Sequence, residues 1–141
     1  MAYKEIALEF DGYWRKPAIS GLPSESGIYC VYTCTHNKEE KTVSIKRLIY
    51  IGESEDVNDR ISKHEKWDEW ESYLSNGEVI CVSCATVSDS NRIRAEAAMI
   101  YKHDPPENTE YVSYFPFDKT KITTSGKNKL LSSSFVIERD D

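Results

Sequence analysis

Basic residues are scarce in this chain. Against 24 Asp and Glu stand 18 Lys and Arg, so the formal charge is −6. That balance speaks against a uniformly basic, phosphate-coating surface, and it stands as an objection to any nucleic-acid reading. Long apolar runs are missing too. A membrane-spanning helix needs about 20 consecutive apolar residues, and no stretch approaches that. Met1–Glu5 has neither the basic nor the apolar block of a leader peptide, so the expectation is a soluble, intracellular, cytoplasmic protein. Glycine and proline are few, six and five, which excludes collagen-like and low-complexity classes. What is present is ordinary: 141 residues, 39% hydrophobic and 30% charged, enough for one domain with its own core.

The four cysteines fall into two pairs, Cys30 with Cys34 and Cys81 with Cys84. A four-thiolate zinc site is one reading of such pairs. Both pairs lie in β-like runs, however, where residues 81 and 84 point to opposite faces of a strand. Reduced thiols packed in strands are the favoured expectation.

The order of elements follows from periodicity. Ile6–Phe10 alternates as a half-buried strand does, and Asp11-Gly12 signals a turn. Ile28–Thr33 and Lys46–Gly52 read as two strands joined by a polar hairpin, His36–Ser44. Ser54 is placed to cap a helix carrying Val57, Ile61 and His64 on one face, and Trp67, Trp70 and Leu74 continue a helical stripe. Glu78–Val87 reads as a third strand. Ile93–Lys102 is the strongest helix, stopped by Pro105-Pro106. Beyond Thr109 two apolar patches, Tyr111–Phe117 and Leu130–Ile137, read as strand or loop, separated by Thr123–Gly126. The expected class is α+β on a mainly antiparallel sheet.

On that skeleton the first strong strand carries Gly27-Ile28-Tyr29 and the next carries Tyr50-Ile51-Gly52. Arg60 lies ten residues after Tyr50, and His64 one helical turn later. Glu96 sits in the last helix, and Asn108 follows the double proline. This ordered set resembles the GIY-YIG nucleases. The resemblance covers about residues 26–108 and implies a small, mainly antiparallel three-stranded central sheet flanked by helices, with extra N- and C-terminal strands or loops. It divides the chain into an N-terminal extension (1–25), a nuclease core (26–108) and a C-terminal extension (109–141).

The resemblance implies a metal-dependent endonuclease that hydrolyses phosphodiester bonds in DNA, with RNA left open. It casts Tyr29, Tyr50, Arg60, His64, Glu96 and Asn108 as site residues. Glu96 would hold one Mg²⁺ or Mn²⁺, and Arg60 offers a fixed fork to phosphate oxygens. Tyr29 is the favoured base, Tyr50 orients water or phosphate, His64 helps the tyrosine or accepts its proton, and Asn108 braces the site. A tyrosine needs a cation nearby to serve as base, since its ordinary pKa is about 10. If Arg60 is merely structural, Asp56, one turn before it, is the acid expected to pair with it.

Glu53, Glu55 and Asp56 depart from the family pattern and would repel a phosphate. The long hairpin His36–Ser44 is a candidate recognition element. Lys119, Lys121, Lys127 and Lys129, opposed only by Asp118, are candidate phosphate contacts. The alternative reading is a catalytically silent module of the same kind that binds nucleic acid or protein. Monomer and homodimer remain equally open.

Overall fold

The computed structural model describes residues 3–139; Met1 and Ala2, part of the segment read above for leader features, and Asp140 and Asp141 lie outside the described residues. Nine regular elements follow in order: β1 (Lys4–Arg15), β2 (Gly27–Asn37), β3 (Thr42–Ser54), α1 (Val57–Ser62), α2 (Trp67–Glu71), β4 (Glu78–Thr86), α3 (Asp89–His103), β5 (Thr120–Gly126) and β6 (Ser134–Ile137), with a 3₁₀ turn at Lys16–Gly21.

The expected three-stranded sheet flanked by helices is not what forms. The strands make one six-stranded mixed sheet, ordered β3-β2-β4-β1-β5-β6 and curled into a half-barrel with few helices. The antiparallel trio β3-β2-β4 is only its first half. The supposed extensions supply the other half, because β1 pairs antiparallel to β4 through Asp11–Arg15 and parallel to β5 through Lys4–Phe10. Asp11-Gly12, expected as a turn, is instead the bend at which one continuous strand changes partner. Gly12 is left-handed there, and a side chain would press on the β4 backbone at Val82 and Ser83.

Burial explains the layering. β2 is buried on both faces from Gly27 to Cys34, as a central strand covered on two sides must be. On one face Ile28, Cys30 and Tyr32 join Ile6, Leu8, Phe10 and Ile122 beneath α3, whose Ala95, Ala98 and Met99 pack down on them. On the other face Tyr29 and Val31 meet Val57 and Ile61 of α1 and Trp70 of α2. Asp56, not Ser54, caps α1: the Asp59 N–H donates to its carboxylate at 3.0 Å. His64 falls just past α1 rather than on it.

The segment that carries the candidate phosphate-contact lysines contains β5. Thr120, Ile122 and Thr124 face inward and are buried, while Lys121, Thr123 and Ser125 alternate outward. The cysteines also differ from expectation. Cys34 and Cys81 form a disulfide between β2 and β4, and only Cys30 and Cys84 are free thiols, both buried. With two of the four sulfurs bonded to each other, a four-thiolate zinc site has no basis. Among the described residues no helix is long and apolar enough to cross a membrane.

All three tryptophans lie before residue 71, whereas Ile122 is in the late half of the sheet. Ile122→Ala should therefore lower the unfolding free energy by about 2–5 kcal/mol, the usual cost of emptying a core site. In urea, tryptophan fluorescence and far-ultraviolet circular dichroism should shift together. A fluorescence midpoint unmoved by the substitution would show that the two halves unfold separately.

Candidate functional site

β3 is an edge strand, and its late half carries Tyr50, Ile51, Gly52 and Glu53. The segment after α3 folds back onto that edge. The Glu107 N–H donates to the Ile49 carbonyl at 3.0 Å. The Asn108 amide then matches the backbone of Ile51, accepting from its N–H at 2.9 Å and donating to its carbonyl at 2.8 Å. Asn108 thus stands in for a missing neighbouring strand and closes an otherwise open edge.

Between β3, the end of α1, α3 and residues 107–111 lies a pocket of about 340 Å³. Tyr50, Arg60, Glu96 and Asn108 line it. Tyr29 and His64 lie beneath the wall, buried at 1% and 4% exposure. Four of the six expected site residues thus share one concavity and the other two support it from below. The four candidate lysines are elsewhere, in and around β5.

Tyr29 is held by close approach. It pairs in register with Gly52, and its ring lies across that residue: a Cβ at position 52 would come within 2.4 Å of the phenol. Gly27 has a similar role toward β4, where a Cβ would sit 2.6 Å from the Ala85 carbonyl oxygen. Both motif glycines therefore mark points of close packing in the sheet.

The imidazole of His64 is fixed from both sides. Its Nδ1 accepts the Lys66 N–H at 3.1 Å, so in the neutral ring the proton resides on Nε2. Nε2 is 3.0 Å from the Tyr29 hydroxyl and donates to it. Burial, followed by the Arg60 charge, lowers the His64 pKa to about 4 and keeps the ring neutral near pH 7. This tautomer makes His64 a donor to Tyr29 rather than the acceptor of its proton. Burial raises the Tyr29 pKa, and the adjoining Arg60 acts against that rise.

Arg60 does not pair with Asp56. Its guanidinium forms a two-pronged bridge to Glu65, at 2.8 and 3.0 Å. A carboxylate gripped this way occupies the fork that would otherwise take two phosphate oxygens. Glu53, which seemed hostile to a phosphate, is paired with Arg92 of α3, and Arg92 also holds Asp89 and the Ser26 hydroxyl. Neither Glu65 nor Arg92 was legible as a site residue, because each is defined by a partner distant in sequence or hidden among many similar charges.

Glu96 is different. Among the described residues it makes no hydrogen bond or ion pair, although it lines the pocket and is half-buried. Burial, then the charges of Glu53 and Glu110, push its pKa up to about 8, against a smaller opposing effect of Arg92. The pocket wall carries five glutamates, residues 53, 65, 96, 107 and 110, against Arg60 and Lys66. An under-compensated carboxylate among others is a donor set suited to a hard divalent cation that keeps most of its waters. Among the described residues no group of three or more His, Cys, Asp or Glu converges as a ready-made cage.

No protein-family model, curated protein or solved structure matches this chain. The likeness to a nuclease family therefore rests on the site residues themselves.

Two outcomes follow from this geometry. Because the Glu96 pKa is raised from 4.5 to about 8, the folded protein keeps a proton that the unfolded chain releases. Stability should fall as pH climbs through that window, by at most about 1.4 kcal/mol per unit. With chelator present, Glu96→Gln should match the parent near pH 4 and exceed it at pH 8.5 in urea titrations; a gap independent of pH would contradict this. Gly52→Ala should cost about 1–3 kcal/mol by overpacking against Tyr29, and should displace the His64 ring resonances in proton NMR spectra. Unmoved His64 resonances would show that Tyr29 does not depend on Gly52 for its place.

Proposed function

We propose that the chain is a metal-dependent endonuclease of the GIY-YIG kind, hydrolysing phosphodiester bonds in DNA, and that it works inside the cell, where that substrate is found. The proposal rests on the site and not on the sheet that carries it. One observation carries it: the fork of Arg60 and the unpartnered carboxylate of Glu96 come from different elements and line the same pocket, with Tyr50 in its wall and Tyr29 behind it.

In this reading the scissile phosphate displaces Glu65 and takes the two-pronged bond from Arg60, which positions it and offsets charge gathering on its oxygens. Glu96 would hold a divalent cation, which when bound supplies Lewis-acid stabilisation of the phosphate and the leaving oxygen. Tyr29 would serve as base once it has lost its own proton, the His64 N–H and the Arg60 charge supporting the phenolate against the burial that opposes it, and would take the proton of the attacking water. Tyr50 orients that water from the pocket wall. Asn108 holds the rim by its bonds to Ile51 and does no chemistry. The anionic wall makes phosphate entry dependent on the cation.

The filled Arg60 fork and the buried Tyr29 favour a second reading, a module that binds without cutting. Supercoiled plasmid with Mg²⁺ separates the two. The parent protein should nick or linearise it, whereas Tyr29→Phe and Glu96→Gln should each lose at least 100-fold in rate. Glu65→Gln, which frees the fork, should lower KM several-fold. Equal cleavage by all proteins would identify a contaminant, and absence of cleavage on every DNA and RNA tried would leave only the binding module. Independently of turnover, Mg²⁺ at pH 8 should raise the Tm of the parent and leave that of Glu96→Gln unchanged.

A further inference from the structure

The other end of β3 carries charge of the opposite sign. There a cleft of about 720 Å³ opens between the late part of β1, the 3₁₀ turn, the β2–β3 hairpin and the loop after β5. Arg15, His36, Lys38, Lys41 and Lys127 line it, and no Asp or Glu does. In a chain of net charge −6 this is an uneven distribution. Among the described residues Arg15, Lys38, Lys41 and Lys127 have neither an ion pair nor a stacking contact with an aromatic ring, whereas Lys119 is engaged by Glu138 and Tyr3. Of the acids nearby, Glu39 lines an adjoining hollow that shares His36 and Lys38 with the cleft, Glu40 sits in the hairpin turn without lining the cleft, and the Asp11 carboxylate receives the Gly12 N–H.

Backbone constraints bring these cations together. The Asn37 side chain accepts the Glu39 and Glu40 N–H groups and orders the hairpin turn, in which Lys41 is left-handed. Gly126 lies so close to β1 that a Cβ would approach the Phe10 carbonyl oxygen to 2.3 Å, and the Lys127 N–H donates to that same oxygen at 2.8 Å. The Lys129 N–H donates to the Tyr13 hydroxyl and holds the following loop. The chain end is thereby pinned beside the β1 bend with Lys127 in the cleft. His36 is held below the ordinary histidine range by partial desolvation and then by Arg15 and Lys38, consistent with a positive local field.

We infer that this cleft is a second phosphate-binding site, separate from the Glu96 pocket, which grips the backbone of a bound nucleic acid. The choice of nucleic acid as the source of the phosphates rests on the function proposed above; the affinity for phosphate rests on the cleft alone. Thr42 and Tyr50, at the two ends, are eight residues apart on β3, or about 25 Å at the rise of a strand. A duplex of roughly seven base pairs covers that distance, so one DNA molecule can reach both places. The cleft also gives the acidic chain a means of holding DNA before the pocket has its cation.

Fluorescence anisotropy with a labelled 30-base-pair duplex, in chelator so that nothing is cut, tests this. Lys38→Glu/Lys41→Glu/Lys127→Glu should weaken binding at least tenfold and reduce the slope of log K against log salt by about 2–3. The control Lys4→Glu/Lys119→Glu/Lys121→Glu, at the far end of β1 and β5, makes the same change in net charge and should lose less than threefold. Equal losses in both would overturn the cleft as a site and leave only a general field. Binding of inorganic phosphate or ATP at the cleft, by calorimetry, with DNA binding unaffected by the triple change, would overturn nucleic acid as the ligand. Cleft-dependent binding by a protein that never cleaves would refute the nuclease reading and leave this one standing. Cleavage and binding that both ignore the cleft would do the reverse.

Discussion

Tyr29 lies where it does because Gly52 offers no side chain to stop it. The two residues face each other across β2 and β3, and the phenol spreads over the glycine. That contact sends the hydroxyl toward α1 and into reach of the His64 ring. The rest of the site is arranged around it. His64 is kept neutral by burial and held in one orientation by the Lys66 N–H, Arg60 comes from α1, and Tyr50 closes the wall from the same strand as Gly52. β2, buried on both faces, gives this group a rigid base, as a close-packed interior does.

The charges explain a second layer of organisation. β3 runs from a cleft rich in unpaired cations to a pocket rich in carboxylates. The excess of acid in the chain therefore says little about the surface any one ligand meets. Between residues 39 and 71 acids outnumber bases by four, and between 118 and 129 bases outnumber acids by three. The fold does not keep these regions as blocks. It takes Lys41 out of the acidic stretch, Lys38 from just before it and Lys127 out of the basic one and sets them in one cleft, while Glu53 is neutralised by Arg92.

Local pattern carried far in some places and not in others. β2, β3, β4 and α3 were readable because each has a long apolar rhythm of the right period. β5 was not, since Thr-Lys-Ile-Thr-Thr-Ser-Gly has one apolar residue, and its inward threonines look polar until a neighbouring strand covers them. Its partner β1 lies more than 100 residues earlier, and a parallel pairing at that distance leaves no local mark. The sheet was therefore expected at half its width. Within the site, Tyr29, Tyr50, Arg60, Glu96 and Asn108 were named from the resemblance to the GIY-YIG motifs, but Glu65 and Arg92 were not, because an ion pair is a property of two positions. His64 was placed on a helix it just misses, for α1 ends at Ser62.

By itself the sequence determined the local elements and the residues that the likeness to a nuclease family picks out: two tyrosines on adjacent strands, an arginine just beyond them, a glutamate on the strongest helix and an amide after two prolines. Residue order and periodicity suffice for that, because both are local. Tertiary structure alone decided the six-stranded sheet, the Glu65 clasp on Arg60, the lack of a partner for Glu96 among the described residues, and the gathering of Arg15, Lys38, Lys41 and Lys127. Each of these depends on atoms distant along the chain reaching within a few ångströms of one another, and only close packing of the whole molecule sets such distances.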